Sequence, residues 1–205
     1  MGLDMYLERA PRYKNVTIQQ IKAIDGYFDW KDYEGAQKFT LKEWCGVDEK
    51  DLPSQDVQEY YKKNGSFVEV GYWRKANAIH KWFVDNVQDG EDDCGYYEVD
   101  REQLEQLLHI CNLIKSKCKL KAGKIQNGYY YGEDGERVPI MEDGMYIENP
   151  AIAQEYLPTQ SGFFFGSTDY DEWYMQDVED TIEILTKVLD ETDFDTQMVV
   201  YTSSW

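Results

Sequence analysis

"SFVEVGYWRKANAIHKWF", residues 66–83, decides how the rest of the chain is read. Its first half alternates: Phe67, Glu69 and Gly71 fall on one face and Val68, Val70 and Tyr72 on the other, the period of a strand. Its second half changes period. Trp73, Ala76, His80, Phe83, Val84 and Val87 fall on or near one helical stripe, which predicts a helix over about 74–88 that the strand enters directly.

Working outward, "GLDMYLER" alternates Leu3, Met5 and Leu7 with polar residues and reads as a strand with one buried face. "TLKEWCGV" and "SQDVQEYYKKNG" read as short helices, the second with Ser54 as cap and Gly65 as stop. "CGYYEV" is a short strand. Asp100 then caps a long helix, with Gln103 at the capping-box position. Leu104, Leu107, Leu108, Cys111, Ile114 and Cys118 form that helix's apolar stripe. Residues 120–149 carry Asn127-Gly128, Asp134-Gly135 and Asp143-Gly144, pairs that favour tight turns, and predict one or two hairpins inserted into the body. Asn149-Pro150 opens a short helix through Tyr156. "SGFFFGST" reads as a strand feeding a helix from about Tyr170 to Glu191, capped by Thr168 or Asp169, with Tyr174, Val178, Ile182, Leu185 and Leu189 buried. "TQMVVYTS" reads as a last strand. Interspersed strands and helices with hairpin signals predict a single α+β domain over 1–205, with a mainly antiparallel sheet, helices on one face and a hairpin insertion at 120–149.

The chain has 205 residues, 40 acidic and 21 basic, for a formal charge of −19. That charge argues against direct binding to nucleic acid or anionic lipid and suits a basic partner. Cys45, Cys94, Cys111 and Cys118 form no C-x-x-C pair and read as reduced thiols of a cytoplasmic protein. No run of about 18 apolar residues marks a membrane span, and no apolar core marks a signal peptide. With only His80 and His109, a His-rich zinc site is excluded. No phosphate-binding loop, dinucleotide fingerprint or nucleophile elbow is present, and nothing calls for a cofactor.

Against that background the opening stretch is unusual, because it places Arg74, Lys75, His80 and Lys81 within eight positions. On a helix, Trp73, Arg74, Asn77, His80 and Lys81 would line one edge of the apolar stripe. Cations there would suit phosphate, an amide a base edge, and rings such as Tyr72, Trp73 or Phe164 a stacked base. Arg74 and Lys75 in a first helical turn oppose the helix dipole, a conflict that a bound anion would relieve. The structural alternatives are a solvated basic face, an ion pair from Arg74 to the Asp169–Glu172 cluster, and His80 as a core-edge residue.

The blocks "MGLDMYL", "EVGYWRKANAIHKWF" and "GFFFGSTDYDEWY" resemble a family of uncharacterised proteins carried by tailed bacteriophages and prophages. The resemblance implies an accessory protein made in the cytoplasm of an infected bacterium, of the kind that disarms host defence. The leading expectation is sequestration of a phosphate-bearing ligand such as a nucleotide signal by Tyr72, Trp73, Arg74, Lys75, Asn77, His80, Lys81 and Phe164, without catalysis. The rival is an acidic, DNA-mimic-like inhibitor of a basic host protein; a third is an enzyme acting on a nucleotide. The exposed aromatics and the hairpin would suit a homodimer.

Overall fold

Leu3, Met5 and Leu7 are fully buried, and their alternation makes β1 (Asp4–Pro11) a strand that faces the core with one side. The computed structural model in which this is seen describes residues 2–31, 43, 52–162 and 164–205. β1 lies inside a four-stranded sheet ordered β2 (Val68–Arg74), β1, β6 (Gln197–Ser204), β3 (Tyr96–Val99), with every neighbouring pair antiparallel. The protein is therefore α+β, as its pattern of elements predicts.

The main core lies between one face of this sheet and three helices, α3 (Asn77–Val87), α4 (Arg101–Lys117) and α6 (Glu172–Glu191). Sheet residues Trp73, Val199 and Tyr201 meet Phe83 of α3, Leu107 and Ile114 of α4, and Val178 and Leu185 of α6. The opposite face is not bare. Ala10, Met198 and Val200 pack against Ile21 and Ile24 of α1 (Ile18–Lys31) and Val57 and Tyr61 of α2 (Gln55–Asn64). This smaller layer adds to the expected helical face. It also explains why "MVVY" in β6 is apolar without a break: successive residues enter opposite layers.

Asp100 accepts from the Gln103 amide and the Gln103 side chain returns to the Asp100 amide, so the expected capping box of α4 is complete. The start of α6 needs correction. Its cap is Asp171, which accepts from Trp173 and Tyr174, rather than Thr168 or Asp169. The strand expected at "SGFFFGST" is likewise absent: the described residues there form a loop. The helix expected at "TLKEWCGV" falls, Glu43 apart, outside the described residues.

Residues 120–147 form one hairpin, β4 (Leu120–Tyr131) with β5 (Arg137–Ile147), turning at Asp134-Gly135. The other two Gly pairs are not turns. Asn127-Gly128 falls at a break in register, and Gly144 faces Gly123 within the ladder. Ile147 enters the main core and its amide donates to Tyr170, which anchors the hairpin's root. A short helix, α5 (Ala151–Tyr156), follows it. Among the described residues, no helix is long and apolar enough to cross a membrane.

Candidate functional site

The basic stretch is split by a sharper junction than helical spacing suggests. β2 continues through Arg74, because Trp73 pairs with Met5 and Arg74 with Asp4. Lys75 takes a left-handed conformation, φ 61°, donates its amide to Leu3 O and accepts from the Asn77 amide. The helix then begins at Asn77. Arg74 and Lys75 are thus outside the first helical turn, and the expected conflict with the helix dipole does not arise. Gly166 lies against this bend; a Cβ there would stand 3.3 Å from Lys75 Cβ.

Strand alternation also separates the rings. Trp73 points into the core and donates from Nε1 to Thr181 Oγ1 at 2.9 Å. Tyr72 and Arg74 point to the other face. There the Tyr72 hydroxyl donates to Asp4 at 2.5 Å, and Arg74 Nε stands 3.9 Å from the same carboxylate. The partner of Arg74 is therefore Asp4 and not the Asp169–Glu172 cluster. The hydrogen bond to Asp4 raises the Tyr72 hydroxyl above its ordinary range. Lys81 sits further along α3 and pairs with Asp85.

Asn77 and His80 are buried and fully engaged. Asn77 Nδ2 donates to the carbonyls of Phe165 and Ser167, and its Oδ1 accepts from the Gln160 amide. One side chain thereby ties down the 160–167 loop. His80 Nε2 lies 3.0 Å from Asp92 Oδ2, and Nδ1 lies 2.7 Å from the Tyr201 hydroxyl. A carboxylate only accepts, so Nε2–H donates to Asp92; in the neutral ring Nδ1 accepts from Tyr201. Asp92 also accepts from Trp205 Nε1, and Phe165 packs edge-on to the imidazole. Asp92, Tyr201 and Trp205 escape sequence reasoning, because no local pattern links them to His80. Of the expected residues, the fold brings together Lys75, Asn77, His80 and the loop that carries Phe164. It leaves Tyr72, Arg74 and Lys81 apart.

Compared with protein families, curated proteins and solved structures, the chain matches none.

The chemistry the described residues offer is correspondingly narrow. Among them, no group of three or more His, Cys, Asp and Glu side chains could hold a metal ion. Cys94, Cys111 and Cys118 are free thiols, and burial pushes Cys111 up to about 12, which keeps it unreactive. Tyr201 is fully buried, and burial raises its hydroxyl far above the ordinary range. The Tyr201–His80–Asp92 chain therefore positions elements and does not face a substrate. Burial also lifts the Asp177 carboxyl to about 7, with Asp180 and Asp171 adding to the effect.

The distal half of the hairpin offers surface instead. Tyr129, Tyr130, Tyr131, Ile140 and Met141 are between 44% and 63% exposed. Tyr129 pairs with Pro139 and Tyr131 with Arg137 on one face, while Tyr130 pairs with Val138 on the other. Both faces are thus apolar. The Arg137 guanidinium lies over the Tyr129 ring at 4.5 Å, and the turn carries exposed Glu133, Asp134 and Glu136.

Proposed function

We propose that this chain is a non-enzymatic phage accessory protein that acts in the host cytoplasm by docking a basic host protein, with the hairpin as its contact arm. The observation that carries this reading is the arm's outer half: tyrosines on both faces and an acidic tip. Twelve residues of strand reach about 40 Å. Tyrosine supplies broad contact at low entropic cost, and its ring accepts arginine or lysine. Carboxylates at the tip and the −19 charge of the chain favour a cationic surface and steer its approach.

The test is capture from a bacterial host lysate by the tagged full chain, followed by titration of the purified partner. A basic protein is expected, held at low salt and released as ionic strength rises. Replacing Tyr129, Tyr130 and Tyr131 by serine, or Glu133, Asp134 and Glu136 by lysine, should each weaken the purified pair about ten-fold or more. Equal affinity in all three proteins would end the proposal.

A second reading keeps the phosphate-bearing ligand. It is favoured by the corner where Lys75 meets Gly2 and the loop bearing the exposed ring of Phe164. Native mass spectrometry with linear and cyclic nucleotides tests it. An adduct lost in the Arg74→Ala/Lys75→Ala variant supports it, and absence of uptake removes it.

A further inference from the structure

Strand β2 is an outer strand of the sheet, and among the described residues its only ladder partner is β1. Alternate residues of such a strand turn their N–H and C=O groups outward, ready to pair with another chain. Natural edges are usually shortened, charged or covered. This one runs Val68–Glu69–Val70–Gly71–Tyr72–Trp73, with Val68 57% exposed. Helix α6 lies alongside it. The two are pinned together at Gly71, where a Cβ would stand 2.5 Å from Ile184 Cγ2. Towards Val68 they enclose a cavity of 340 Å³, walled by Val68 and Val70 on the strand and Lys187 and Val188 on the helix. That volume suits one or two side chains.

The signs of the charges are also ordered. Arg9 pairs with Val68 in the ladder, shares its face, and donates to Glu191 O at the end of α6. Lys187 is exposed on the facing turn. Glu69 pairs with Glu8, so its side chain belongs to the opposite face of the sheet. The cavity's charged side chains from β1 and the facing helix turn are thus cationic, in a chain of net charge −19.

We infer that the β2–α6 groove binds an extended peptide as an added strand. The peptide places an apolar side chain against Val68 and Val188, and a carboxylate two residues away on Arg9 and Lys187. This site is independent of the arm.

The probe is a fluorescein-labelled, blocked, seven-residue threonine peptide with valine third and aspartate fifth, with a panel in which these two are moved or replaced. Anisotropy with the full chain should saturate. Methylating alternate peptide amides should cost about ten-fold or more in affinity. Lys187→Glu should do the same, and an aspartate-to-lysine peptide should restore it. Amide NMR shifts should centre on residues 68–71 and 187–191, while the arm variants bind normally. Far-ultraviolet circular dichroism checks that Lys187→Glu is folded; Val68→Asp is the second variant. No saturation by any panel member overturns the inference, as does equal binding of the methylated peptide. A dimer joined through β2 that the peptide does not displace would also overturn it.

Discussion

The strand-to-helix junction at 72–83 and the outer half of the hairpin at 129–141 are opposites. The junction holds a tryptophan, an asparagine and a histidine in a setting that suggests ligand chemistry, and the fold uses all three internally. Asn77 spends its amide on a loop, Trp73 its indole on Thr181, and His80 both nitrogens on Tyr201 and Asp92. The hairpin, marked in the sequence only by glycine turns, leaves its aromatic residues in solvent. Reactive residue types identify a site only when their polar atoms are left unused. A polar atom satisfied inside the protein has nothing further to offer a ligand.

Three substitutions would break or sharpen this contrast. The largest effect is expected for His80→Ala, which opens a cavity and strands the Tyr201 hydroxyl and a carboxylate oxygen of Asp92. Chemical denaturation should show a loss of about 3 kcal/mol. A loss below about 1 kcal/mol would mean that the junction is not the structural knot described here. Next comes Asp177. Folding lifts its carboxyl from 3.8 to about 7, chiefly by burial. Between those values the folded chain holds a proton that the unfolded chain has released, so stability falls as pH rises through the window. Asp177→Asn should remove that slope, leaving stability near pH 4 unchanged. At pH 8 it should raise stability by about 1 kcal/mol, less than the full shift because the side chain stays partly solvated. Unfolding curves across that range check it. The smallest effect belongs to the arm: Tyr130→Ser and Tyr131→Ser together should move the denaturation midpoint by less than about 0.5 kcal/mol. A larger loss would show that these rings already have a structural use.

Much of the framework is legible because local physics sets it. Leu3, Met5 and Leu7 alternate into the core, and Leu104, Leu107, Cys111 and Ile114 follow helical spacing into it. Asp100 and Gln103 recognise each other across one turn. What is not legible depends on distant partners. "YWRK" has no local reason to stay extended; Met5 and Asp4 hold it so from across the ladder. "GFFFG" has strand composition, yet its loop gives carbonyls to Asn77 and buries Phe165 against His80, while Phe164 takes φ 69°. Asp143-Gly144 has turn chemistry but lies opposite Gly123, where Ile125 and Glu172 crowd the space a Cβ would take. The candidate contact surfaces were the least legible, since exposure is a property of the finished fold.

β1 and β6 are neighbours in the middle of the sheet, although their paired residues Arg9 and Val199 lie at opposite ends of the described chain. During synthesis, β1 must therefore wait for nearly all the intervening residues before its neighbour leaves the ribosome. The hairpin closes from contiguous sequence and is complete well before then. A nascent chain would display a finished arm while its central sheet is still open, and would rely on chaperones to shield the apolar strands through that interval.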